Sequence, residues 1–191
     1  MQRHHPSATP SAGHHLLWIS LLVAGSVVFS LGFACAAPLA AFAAAAALTS
    51  SRRDALMLIL SVWFANQLVG FAVLGYPWTA STFAWGSALG AVAVLATLAG
   101  QWTAGRSVDA ARIVRYSATF LGAFAAYEVA LFVVALSLLG GTDDFTAGIL
   151  GRIFFMNATA FVGLLVLHRL AVSIGLAANP MIPLRTRASH A

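Results

Sequence analysis

The chain has 191 residues, of which 61% are hydrophobic and 8% charged, and its mean hydropathy is +0.91. Soluble domains carry about 25% charged and about 45–50% apolar residues, so this composition excludes a soluble enzyme and a soluble nucleic-acid-binding domain. The formal charge of +5 comes from ten arginines with no lysine, without the basic stripe and interleaved aromatics that nucleic acid requires.

Apolar runs of about 20 residues mark membrane spans, and the sequence predicts an all-α integral membrane protein with six of them. The first covers about His15 to Ala34, and the second, Ala36 to Thr49, follows almost at once, short and interrupted by Pro38. The third covers about Asp54 to Leu74, after Ser50-Ser51, a plausible helix cap. The turn Gly75-Tyr76-Pro77-Trp78 leads to the fourth, about Thr82 to Ala104. The fifth, about Tyr116 to Leu139, stops at Gly140-Gly141, and the sixth runs from about Ile149 to Val172. Residues 1–14 and 174–191 read as polar tails around a single membrane domain, 15–173. The first apolar run is longer than the 7 to 15 residues of a signal-peptide core, so it is read as a span that is kept.

Arginine position sets the orientation, because cytoplasmic loops are enriched in Lys and Arg. Arg3, Arg52, Arg53, Arg106, Arg112, Arg115, Arg169, Arg185 and Arg187 fall on one side of a six-span layout, and Arg152 alone on the other. Both termini are therefore expected in the cytoplasm, with acidic membrane lipid as a sufficient partner for the arginines.

An ionisable group at the bilayer centre costs about 2.5–3.5 kcal/mol on insertion scales, so each polar residue within a span needs a partner or a purpose. Glu128, beside Tyr127, lies near the middle of the fifth span, where a carboxyl is neutral, paired with Arg152, or coordinating a ligand. Asn66 and Gln67 lie in the outer part of the third span and Asn157 in the outer third of the sixth. Together with Arg152 they outline a polar pocket that opens outward, with Glu128 near its floor. Asn66 and Gln67 occupy adjacent helix faces, so one of the two is expected to point into it. Each amide is alternatively helix-tying glue, worth about 0.6 kcal/mol in a bilayer. Trp63 and Trp85 lie deep enough to wall a cavity for a flat ligand, whereas Tyr76 and Trp78 read as an interfacial belt.

In the second segment Ala36, Ala40 and Ala44 repeat every four residues and form a smooth face that admits a closely packed neighbour, inside the chain or in a partner. Gly86 and Gly90 repeat the pattern in the fourth span. No zinc motif, phosphate loop or nucleophile with a base and carboxylate is present, so no catalytic, metal or cofactor site is assigned. Cys35 sits in apolar surroundings that keep a thiol inert. His4-His5 and His14-His15 lack a fixed geometry for metal, and His168-Arg169 reads as an interfacial anchor.

The stretches CAAPLAAFAAAAALTSSRRDAL, NQLVGF and RIFFMNATAFVGLL, set in this layout, resemble the six-helix substrate-binding membrane subunits (S components) of energy-coupling factor transporters. The similarity covers most of residues 16–173, although the family's small-residue motif usually lies on the first helix. The resemblance implies a non-enzymatic subunit of the bacterial inner membrane that binds a vitamin-like small molecule or metal ion from outside. It implies that Ala36, Ala40 and Ala44 engage a transmembrane coupling subunit and that partner ATPases supply energy. It also implies that Asn66, Gln67, Glu128 and Asn157 lie near the ligand. A membrane scaffold or assembly subunit and a stand-alone metal- or proton-coupled permease are the alternatives.

Overall fold

A computed structural model describes residues 12–33, 37–139, 142 and 145–177. Six α-helices and one π-helical turn form among these residues: α1 (Ala12–Phe33), α2 (Leu39–Thr49), α3 (Arg52–Ala72), α4 (Ala80–Arg106), α5 (Arg112–Val134), the π turn (Ala135–Leu139) and α6 (Ala147–Ser173). The helices α3, α4, α5 with its π turn, and α6 are long and apolar enough to cross a membrane. Arg3, Ala36, Cys35, Asp143, Asp144, Arg185, Arg187 and His4-His5 lie outside the described residues, as do the side chains of His14 and His15.

Local chemistry sets the helix ends. Ser51, Thr79 and Thr146 occupy N-cap positions, and their hydroxyls accept from the backbone N–H of Asp54, Thr82 and Ile149, satisfying donors that a helix start leaves open. The three capped helices consequently begin two residues earlier than hydropathy alone suggests. Pro38 also acts differently from expectation. It stands at the N-cap of α2 with φ −72° and starts the helix instead of interrupting it, because proline lacks only an N–H that the first turn does not use.

The short helix α2 is the centre of the bundle and packs on α3, α4, α5 and α6, while α1 packs on α3. Leu39, Ala40, Ala41, Phe42, Ala43, Ala44 and Ala46 are all buried, as a helix apolar on every side must be. Ala40 and Ala44 have no exposed surface. Four helices of its own chain close on the smooth surface of α2, the in-chain neighbour that the alanine row allows. At Gly100 of α4 an added Cβ would meet Cβ of Ala47 at 3.1 Å, showing how near α2 and α4 approach. On the opposite side, Phe120 and Phe124 of α5 interlock with Phe154 and Phe161 of α6, with ring centroids 5.1–5.9 Å apart, and this aromatic wedge packs on Ala41 and Ala44.

At 1.5 Å per residue α2 is about 16 Å long, half the length of α3. It ends beside Arg52, so it fills only the arginine-bearing half of the bundle. The half that carries the 73–79 loop has no central helix at that position, and a cavity forms there.

Candidate functional site

The cavity occupies about 130 Å³ at the start of α2, where Ala37 and Leu39 meet it. Trp63, Asn66, Gln67 and Val69 of α3 form one wall, and Thr82, Trp85, Gly86 and Leu89 of α4 form the other. Leu74 and Tyr76 of the intervening loop complete the lining.

Each wall residue has a local reason for its position. Trp63 and Gln67 are four apart and share the face of α3 that meets α4. The Trp63 indole Nε1–H donates to the Gly86 carbonyl at 2.8 Å. An added Cβ at Gly86 would come within 2.6 Å of Gln67 Oε1, and one at Gly90 within 2.7 Å of Trp63 Cε2. The two glycines, foreseen as a helix-packing pair, are thus the seats of these two cavity residues. Asn66, on the adjacent face, turns toward α1: its Nδ2 donates to Ser26 Oγ at 3.2 Å and to the Val62 carbonyl at 2.8 Å. Both Asn66 and Gln67 line the cavity from α3, where the sequence led us to expect at most one.

The loop over this end is fixed by aromatic packing. Gly75 turns the chain at φ +68°, a conformation that glycine adopts without strain. The Tyr76 N–H donates to the Gly70 carbonyl at 3.0 Å, and its ring lies against Gly70, where any side chain would displace it. Phe71 stacks on Phe83 at 4.9 Å and contacts Trp78 at 5.1 Å. Tyr76 therefore belongs to the cavity lining. Sequence reasoning missed its role in the site; the signal was Gly70, six residues earlier and one α3 turn from the loop.

The structure does not bring the remaining expected residues to this cavity. Asn157 is buried, with Oδ1 accepting from Ala41 N–H at 3.0 Å and Nδ2 donating to the Ile153 carbonyl at 3.0 Å. It ties α6 to the first turn of α2, which has no side-chain cap of its own from Pro38. Glu128 is 7% exposed, and its Oε1 has no hydrogen-bond partner among the described residues. It is absent from the lining, and α5 packs mainly on α4 and α2. Arg152 is exposed on α6 and does not pair with Glu128. Of the residues expected around one pocket, Trp63, Asn66, Gln67 and Trp85 line this cavity, while Asn157, Glu128 and Arg152 are not in its lining.

The lining carries two amides, two indoles, a phenol and a hydroxyl but no charged side chain. Such a surface suits an uncharged planar group held by a few hydrogen bonds between apolar walls. The volume matches a benzene-sized ring or about four waters. Among the described residues no three His, Cys, Asp or Glu side chains come together. No family model, no curated protein and no solved structure matches the chain.

Proposed function

We propose that the chain is the substrate-binding subunit of a membrane importer that takes up a vitamin-like small molecule, with a separate ATPase complex supplying the energy. The observation that carries this reading is the convergence of Trp63, Asn66, Gln67 and Trp85 on one cavity above a half-length central helix. The arginine distribution supports an orientation with the loop end outside and both termini on the cytoplasmic side of a bacterial inner membrane. The neutral lining favours an uncharged organic ligand over a metal ion, which would draw on carboxylate, imidazole or thiolate donors. Pockets for whole small molecules occupy about 300 Å³ or more, so the cavity as it stands holds one ring, and entry of a larger ligand displaces the Tyr76 loop. A coupling subunit, if engaged through α2, would meet it by rearrangement of the bundle, since Ala40 and Ala44 are enclosed.

One observation favours the scaffold reading for part of the chain. Both ends of the Asn157 amide are committed to backbone groups, as expected of helix-tying glue. Reconstitution separates the readings. A binding subunit retains its ligand in proteoliposomes yet moves none across the bilayer alone. Ligand accumulation by the isolated chain would establish a stand-alone permease and overturn the energy-coupled proposal.

A further inference from the structure

A second, larger site lies at the opposite end of the bundle. Arg52 at the start of α3, Arg115 in the first turn of α5 and the last turns of α4 surround a cleft of about 580 Å³, more than four times the loop-end cavity. That volume is within the range of ligand pockets, about 300–1,000 Å³. Ala47 of α2 backs the cleft, and Gln101 and Trp102 line its α4 side.

Its electrostatics are one-sided. The Nε–H of Arg115 is buried and meets no acceptor among the described residues. Arg52 is exposed at the mouth. The first turn of α5 follows Ala111, which offers no side-chain cap, so the positive end of that helix is uncompensated at the same level. The nearby carboxylates are placed elsewhere: Asp54 accepts from Ser51 Oγ at 2.7 Å within the α3 cap, Asp109 is exposed on the 107–111 turn, and neither lines the cleft. The Arg106 guanidinium lies 3.9 Å over the Trp102 ring, an aromatic that is 59% exposed.

We propose that this cleft binds a phosphate group, with Arg115 as the inner ligand and Arg52 as the outer one. Arg52 and Arg115 line the cleft from separate helices, α3 and α5. A phosphate presents oxygens toward both, whereas a carboxylate presents two oxygens in one plane and satisfies one fork. Gln101 adds an amide donor beside them. The phosphate belongs either to the headgroup of an anionic phospholipid or to a free phosphate ester. This site does not involve the loop-end cavity, and its failure would leave the uptake reading intact.

The test places the full chain in phosphatidylcholine nanodiscs with or without phosphatidylglycerol and counts the lipids retained in native mass spectra. The wild type is expected to retain phosphatidylglycerol, and Arg115→Gln and Arg52→Gln are each expected to lower the retained fraction about tenfold. Arg52 is exposed, so its variant keeps the test independent of any folding defect in Arg115→Gln. Arg169→Gln, at the same end on α6 but outside the cleft, is expected to change nothing. A companion arm titrates inorganic phosphate into phosphatidylcholine nanodiscs and follows protection of Arg115 from phenylglyoxal. Protection by inorganic phosphate identifies a soluble ester as the source, and protection by phosphatidylglycerol alone identifies lipid. Equal loss in Arg169→Gln, unchanged retention in both cleft variants, or no protection in either arm overturns the site.

Discussion

Asn157 and Gln67 are both amides within apolar helices, yet their surroundings give them different work. Asn157 accepts from Ala41 N–H and donates to the Ile153 carbonyl, capping a helix that starts inside the bundle where water is not at hand. Removing a cap costs about 1–2 kcal/mol, so Asn157→Ala is expected to lower the thermal midpoint in detergent without altering ligand binding. An unchanged midpoint, or a loss of ligand at full stability, would contradict that assignment. Gln67 rests instead on Gly86 with its amide at the cavity. The sequence marked both residues as unusual for their depth, but the partner of each comes from a distant helix, and hydropathy carries no record of that pairing. The place of Glu128 was not legible for a related reason: its position along α5 follows from the sequence, whereas the side of α5 it occupies relative to α3 and α4 depends on tertiary packing.

At the scale of elements, the half-length of α2 has the widest consequences. The polar Ser50-Ser51 marks its end visibly in the sequence, its unbroken alanine surface signalled close packing, and Pro38, read there as an interruption, is its start. What the surface packs against was not legible, because a helix with no polar face specifies burial without specifying its neighbours. The α3–α4 pair was partly legible through Gly86 and Gly90, which read as a packing pair before their partners Gln67 and Trp63 were visible. Gly90→Val is expected to push Trp63 from its seat. Overpacking of this kind costs about 1–3 kcal/mol, and it would also break the indole bond to the Gly86 carbonyl, shifting tryptophan emission to the red. A variant of native stability and unshifted emission would refute the seating of Trp63 on α4.

For the whole molecule, the arrangement divides into two ends with different chemistry: a neutral aromatic cavity beside the 73–79 loop and an arginine-lined cleft beside the 107–111 turn. The proposed orientation places the first outside and the second in the cytoplasm. With Cys35 replaced by Ala, a cysteine at Ser81 is expected to react with an impermeant maleimide on intact cells, and one at Asp109 only after permeabilisation; the reverse pattern would invert the topology. The six-helix layout and the charge asymmetry could be read directly from the chain, whereas the split of the expected pocket into a cavity and separate structural groups required the packing. The central claim is that the cavity at the end of α2 holds the substrate. Its most direct test is native mass spectrometry of the chain purified in mild detergent from substrate-rich growth, compared with Leu89→Trp, which fills the cavity, and Glu128→Gln, which lies outside it. The account predicts a stoichiometric small-molecule adduct in the wild type and in Glu128→Gln that disappears in Leu89→Trp. An adduct that survives in Leu89→Trp, or no adduct in any form, would contradict it.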